Sequence, residues 1–238
     1  MSDSTLASMS PALAVSTVVF SLMPSDSTGR MALHIPLVRR IREPYRGRWA
    51  LPGGPLAADE DLADAARRHL VTTTALSPTY LEQLYAFGAR GRSLAERVVS
   101  IVYWALVSRA NAADDATTAL VQSDPNVCWF DADDLPELAF DHRTIVDYAL
   151  WRLRTKMEYS RIAHAFIGDT FTLAGLREVH EAVLGRELDP ANFRRMVESS
   201  DSVVPTGEFL TGTPHRPPRL YRYNHAVDLV DPNPLGRT

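Results

Sequence analysis

Cysteine is almost absent. A single residue in 238, Cys128, excludes an intrachain disulfide and any multi-cysteine zinc site, and its neighbours Val127, Trp129 and Phe130 mark an ordinary buried strand position. A long hydrophobic run is absent too. The most apolar N-terminal stretch, Ala12 to Met23, is broken by Ser16, Thr17 and Ser21, and no Lys or Arg precedes it. It is too short for a membrane span and lacks a signal peptide's basic start, so no membrane partner is expected and the cytoplasm is the expected compartment. No excess of one charge sign exists: 25 basic and 29 acidic side chains leave −4, which argues against nucleic-acid binding by the chain as a whole. No internal repeat is visible.

What is there is ordinary globular material, 45% hydrophobic and 23% charged, which excludes wholesale disorder. The length suggests two modest domains, each with its own core. Charge is uneven along the chain. Residues 1–151 hold 13 basic and 18 acidic side chains, residues 152–238 hold 12 and 11, and Phe209 to Val227 carries three Arg and two His with no acid. A neutral second half with one basic stretch can touch DNA locally.

The small polar start, residues 1–10, reads as a disordered tail, and residues 226–238 as a C-terminal tail. ALAVSTVVFSLM and MALHIPLVRRI have strand character and are joined by the turn-forming PSDSTGR, which predicts a hairpin. Helical spacing of Leu62, Ala65, Ala66, His69, Leu70 and Thr73 predicts a helix capped by Asp59. LEQLYAFG, RVVSIVYWALV and VCWF read as further strands, and the acidic DADDLPEL as a solvated loop capping a short helix. A first domain thus spans 11–141, followed by a helix over 142–157 with Ile145, Tyr148, Ala149 and Leu153 on one face. Residues 158–225 form the second domain. There, FTLAGLREVHEAVLG ends in Gly185 as a cap, DPANFRRMVESS starts with Asp189 as N-cap and Pro190 at the first helical position, and SVVPT and RLYRY are strand-like. Helix, turn, helix and hairpin is a winged helix-turn-helix order.

Residues 51–76, LPGGPLAADEDLADAARRHLVTTTAL, resemble the Nudix box, Gly-x5-Glu-x7-Arg-Glu-U-x-Glu-Glu-x-Gly-U with U aliphatic. Gly54, Glu60, Arg68, Leu70 and Leu76 match it. His69, Thr72 and Thr73 stand where the resemblance implies three metal-binding glutamates, and Ala75 where it implies glycine. Positions 69, 72 and 73 share one helix face, and three carboxylates there would make a hard oxygen site for Mg²⁺. An imidazole and two hydroxyls do not, and Glu60, Asp61 and Asp64 would have to build a substitute from the wrong positions.

The surroundings still suit a nucleotide diphosphate. Arg39, Arg40, Arg42, Arg46 and Arg48 lie on or after the strand leading into LPGG, and guanidinium groups pair bidentately with phosphate; about half of the five are expected to be solvated surface. Arg48 beside Trp49 is the preferred pair, a fork for phosphate and a face for a base, although Trp49 is equally a core aromatic at a strand end. Arg92, Tyr103 and Glu60 are further ligand-binding candidates, Glu60 also as an ion-pair partner of Arg68. His69 reads as a satisfied core or surface histidine.

In the second half DPANFRRM would be the recognition helix, with Phe193 and Met196 facing the core. Asn192, Arg194 and Arg195 are types that reach base edges and phosphates, and Arg216 and Arg219, with Arg222, would contact backbone or minor groove from the wing. On pattern alone, DNA binding and a small interaction module with scattered arginines fit equally.

The degenerate box, FDHRTIVDYALWRLRTKMEYS, and FTLAGLREVHEAVLGRELDPANFRRM ending in RPPRLYRY together resemble the NrtR family, Nudix-related transcriptional regulators of NAD metabolism, from about Ala12 to Tyr223. The resemblance implies an α/β (α+β) chain, a Nudix-like α/β/α sandwich followed by a winged helix-turn-helix. It implies a homodimeric repressor of NAD biosynthesis or salvage genes that binds double-stranded operator DNA and is released by ADP-ribose or a related NAD metabolite. No cofactor is required in that reading, and the nucleotide is an effector. The alternative is an active Mg-dependent Nudix hydrolase of a nucleoside diphosphate derivative.

Overall fold

The computed structural model describes residues 10–25, 27–78, 80–93, 97–107, 124–157, 162–212 and 217–224. The expected tails lie outside the described residues apart from Ser10. Strands β1 (Ala12–Pro24) and β2 (Met31–Arg39) pair antiparallel from Ser21↔His34 to Pro24↔Met31, so the expected hairpin forms. β3 (Trp49–Ala50) and β4 (Gly53–Pro55) follow, then helix α1 (Leu62–Thr74), β5 (Tyr80–Phe87), β6 (Val98–Leu106) and β7 (Val127–Asp131). Among the described residues these seven strands make one sheet with the order β3-β2-β1-β6-β5, with β4 on β1 and β7 on β2. The long β1 runs parallel to β6 from Ala12↔Val98 to Phe20↔Leu106.

Strand alternation explains the layering, because successive side chains leave a strand on opposite faces. Val15 and Val19 of β1 and Tyr103 and Ala105 of β6 pack with Ala65, Ala66 and Leu70 of α1. Val18, Phe20, Leu22, Val102, Trp104 and Leu106 pack the other way, against Ile145, Ala149 and Leu153 of α2 (His142–Met157). The sheet is therefore sandwiched between α1 and α2, and each such fully buried Val, Leu or Phe contributes about 1.5–3 kcal/mol of transfer free energy.

The remaining elements are α3 (His164–Ile167), α4 (Leu173–Leu184), α5 (Pro190–Ser199) and the antiparallel hairpin β8 (Val203–Phe209) with β9 (Arg219–Tyr223). Both expected helices appear with the expected caps. Gly185 closes α4 in the left-handed region at φ 67°, and Asp189 Oδ1 accepts from the Asn192 amide at 2.8 Å ahead of Pro190. Phe171 and Tyr221 exchange backbone hydrogen bonds of 2.9 and 2.8 Å, adding a bridge to the wing. Phe166, Phe171, Leu176, Val183, Phe193 and Tyr221 join the same buried cluster as α2 and the sheet. The largest buried cluster thus runs from one face of the sheet through α2 into the second half, where two separate cores were expected, while two smaller clusters lie on the α1 face of the sheet.

Three local expectations are corrected. Asp61, not Asp59, precedes α1, and its side chain makes no capping bond. No helix forms in the acidic run; the Asp133 amide instead donates to Asp131 Oδ1 at 3.0 Å, a turn that leads toward α2. Met196 is 55% exposed whereas Phe193 and Val197 are buried, because i and i+4 define the inner face of α5 and Met196 falls outside it. No helix among the described residues is long and apolar enough to cross a membrane.

Candidate functional site

The box builds one wall of a cavity of about 890 Å³. Gly53 and Gly54, on β4 against β1, leave no room for side chains: a Cβ on Gly53 would sit 2.5 Å from the Val15 carbonyl oxygen, and one on Gly54 2.4 Å from His69 Cε1. His69 is buried under that turn, its Nε2–H donating to the Pro55 carbonyl at 3.0 Å. Thr72 donates its hydroxyl to the Arg68 carbonyl at 2.7 Å and Thr73 to that of His69. Arg68 grips Glu60 with two bonds of 2.6 Å, and this donation holds the Glu60 carboxyl below the usual carboxylate range. Thr72 and Thr73 line the cavity as neutral groups already engaged with their own helix. Ala75, closing α1, adopts the left-handed conformation at φ 56°.

The facing wall is cationic and aromatic. Arg39, Arg40, Arg92, Phe140 and His142 line it. Arg40 lies over the Phe140 ring, 4.6 Å from its centroid, and donates Nε to the Pro44 carbonyl at 2.8 Å. Burial lowers its pKa from the ordinary value, with Glu43 opposing. Arg92, its side chain 7% exposed, is fixed by two bonds of 3.0 and 2.8 Å to Asp141. His142 Nδ1 accepts the Leu51 amide at 2.9 Å, and burial pulls its pKa down to about 4, against Asp141 and together with Arg92 and Arg40. It is a neutral imidazole carrying its proton on Nε2.

The structure thus brings Arg39, Arg40, Arg42 and Arg92 to the cavity, with Glu43 and Asp124 also lining it. Arg48 and Trp49 do not converge. Arg48 pairs with Glu137 and lies over Tyr45, while Trp49 packs edge-on to Phe130 at 5.0 Å with Arg39 above its ring. Neighbours along an extended chain point apart, so one ligand cannot take both. Tyr103 is buried beneath α1 with Val15, Ala65 and Ala66, where desolvation raises its pKa. Glu60 is the partner of Arg68 and does not line the cavity. Sequence reasoning missed Phe140 and His142, although both stand in the FDH segment at the helix start.

In the second half, Asn192, Arg194 and Arg195 are all exposed on α5. Arg194 pairs with Glu198 at 3.0 Å, and Arg195 reaches Asn192 Oδ1 at 3.4 Å. Arg219 and Arg222 are exposed on β9, whereas Arg216 lies outside the described residues. His180 of α4 packs edge-on against Phe193 at 5.1 Å, which seats α5 with its polar face outward.

A family model described as NUDIX domain matches residues 15–149, and one described as NrtR DNA-binding winged helix domain matches residues 164–223. The ADPR responsive transcriptional repressor NtrR of Acinetobacter baylyi is 30% identical over 219 residues, covering 90% of this chain and 82% of its own length. The crystal structure of Shewanella oneidensis NrtR complexed with a 27mer DNA aligns with a TM-score of 0.72 at 34% identity, over 89% of this chain and 93% of that one. The ADP-ribose pyrophosphatase of Methanocaldococcus jannaschii is 34% identical over 121 residues, 50% of this chain and 67% of that protein.

Proposed function

The chain belongs to the NrtR family of Nudix-related transcriptional regulators, and from that premise we propose that it is a DNA-binding repressor released by ADP-ribose. The observation that carries this is the presence, in one chain, of a cation-lined cavity of about 890 Å³ and a helix with Asn192, Arg194 and Arg195 all turned to solvent. The cavity fits a diphosphate between Arg39, Arg40 and Arg92, and the glycine turn allows close approach of backbone. Operators in genes of NAD metabolism, in the cytoplasm, are the targets the family implies. One recognition helix per chain makes a homodimer the matching assembly, with half-sites separated by about 34–36 Å or multiples of it.

We also propose that the cavity binds without hydrolysing. A Nudix fold implies Mg²⁺, but the donor set here does not fit it: His69 donates to Pro55, Thr72 and Thr73 are neutral and bonded to their own backbone, and Glu60 is taken by Arg68. Among the described residues no group of three or more His, Cys, Asp or Glu is placed to hold a metal ion. The hydrolase reading draws on the retained Glu60–Arg68 pair. Incubation with ADP-ribose and Mg²⁺ tests it: clear turnover that Glu60→Gln abolishes would replace the non-enzymatic reading.

Fluorescence anisotropy decides the repressor reading, using a duplex that the protein itself enriches from a random pool. Salt-sensitive binding that weakens on addition of ADP-ribose is expected. Arg195→Ala should cost about 1–3 kcal/mol of DNA affinity, and more than Arg194→Ala because Glu198 already holds Arg194. Failure to enrich any sequence over random duplex removes the proposal.

A further inference from the structure

Phe140 is a bulky residue in the left-handed region, at φ 55°. That conformation costs an L-residue free energy, and a bulky residue keeps it only when its surroundings over-determine it. Here they do. The Arg40 guanidinium covers the ring at 4.6 Å, the Tyr45 ring meets it edge-on at 5.0 Å, and the His142 ring lies 5.5 Å away. Phe140 lines the cavity together with Arg40 and His142.

Its position in the chain gives the arrangement a consequence. The next residue, Asp141, holds Arg92, and the one after, His142, is the first residue of α2 and accepts from Leu51 in the box turn. Twelve residues further along α2, about 18 Å of helix rise, Arg154 donates Nε to the Val183 carbonyl at 2.9 Å, near the end of α4, and Nη2 to Asp133 at 2.9 and 2.8 Å. One helix, with its inner face buried in the common core from Ile145 to Met157, therefore starts at the cavity and reaches the first helix of the helix-turn-helix pair.

We propose that Phe140 is the switch residue through which an anionic ligand acts on α2. The phosphates of the ligand draw the Arg40 guanidinium off the Phe140 face, and the released residue resets the first turn of α2 and, through Arg154, the end of α4. The exchange runs in this direction because a charge-assisted hydrogen bond to phosphate outweighs a cation–π contact. Arg40 thereby acts both as a phosphate ligand and as the clamp that the phosphate removes. This inference rests on the repressor reading above and assigns the coupling of its two sites.

The test measures the ratio of DNA dissociation constants with and without saturating ADP-ribose, on the full chain, with saturation set by calorimetry for each variant. In the wild-type protein the ratio is expected at about 5 to 150, the usual span of allosteric coupling. Phe140→Leu keeps apolar bulk but offers the guanidinium no aromatic face, so its ligand-free DNA binding should fall toward that of the ligand-bound wild-type protein and its ratio should fall below about 2. Phe140→Tyr restores the face and the wild-type ratio. Should the leucine variant fail to fold, as read by its thermal unfolding, Phe140→Met fills the same place and takes the same expectation. A leucine or methionine variant that responds like wild type overturns the switch and leaves the repressor intact. A wild-type protein whose DNA binding ignores ADP-ribose removes both.

Discussion

The two walls of the cavity are built from opposite material. On the α1 side, His69, Thr72 and Thr73 spend their polar atoms on Pro55, Arg68 and His69 carbonyls, and the glycine turn is closed against the imidazole. On the α2 side, Arg40 and Arg92 bring positive charge, Phe140 holds a strained backbone, and His142 keeps a neutral ring under two arginines. The first wall is neutral and internally bonded, and the second carries the positive charge. In a catalyst the acids of the box would carry the chemistry; in the proposed sensor the ligand's charge would meet the wall that is joined to α2.

The largest expected effect separates the walls by proton linkage. His142 is held at a pKa of about 4, below the 6.5 of a free imidazole. The unfolded chain takes up a proton that the folded chain refuses, so stability is whole above pH 6.5 and is lost as pH falls from there toward 4. The full loss is about 3 kcal/mol. His142→Asn keeps an acceptor for the Leu51 amide and cannot titrate, so urea denaturation between pH 7 and 4 should fall less steeply for it than for wild type. Equal slopes would mean that His142 charges freely in the folded protein.

A smaller effect tests whether the scaffold wall is packed as tightly as its distances say. Gly54→Ala places a methyl group on the His69 ring and should cost about 1–3 kcal/mol by overpacking. His69→Ala opens that space, so in the double variant most of the alanine penalty should disappear. A double-mutant cycle from denaturant midpoints reads the coupling directly. Additivity within about 0.5 kcal/mol would mean that glycine is needed at 54 for a reason other than the imidazole.

What could be read from the sequence follows the range of each signal. The caps of α4 and α5 at Gly185, Asp189 and Pro190 act over a few residues, and each stands where its chemistry places it. The hairpin of β1 and β2 was legible for the same reason. Arg40 and Arg92 were legible as residue types, but the Asp141 that fixes Arg92 lies 49 residues away, and no local pattern carries that pairing. Arg48 and Trp49 looked like a pair because they are adjacent, which in extended chain is the reason they diverge. Phe193 and Met196 were expected to face the core; i+3 and i+4 are both neighbours of Phe193 on a helix, and the packing of Phe193 on His180 turns Val197 inward and Met196 out. Helix α3, four residues long, is too short to show a period. The left-handed Phe140 had no signature at all, since that conformation is announced only by glycine, asparagine or aspartate.

The smallest effect returns to the box helix and the position where its family pattern has glycine. Ala75 closes α1 at φ 56°, its amide donating to the Val71 carbonyl at 2.9 Å. A left-handed alanine costs about 1–2 kcal/mol through the clash of Cβ with the following carbonyl. Glycine removes that clash, and the greater freedom it gives the unfolded chain returns about 0.4–1 kcal/mol. Ala75→Gly should therefore stabilise the protein by about 0.5–1 kcal/mol, a melting shift of roughly 1–4 °C for a chain of this size. Ala75 does not line the cavity, so affinity for ADP-ribose should stay within about twofold of wild type. A rise in melting temperature without a change in binding would place the glycine of the pattern on the side of helix termination, independent of phosphate chemistry. A fall would show that the left-handed turn is held by its neighbours at no cost to alanine, and the scaffold wall would then be stiffer than its backbone alone requires.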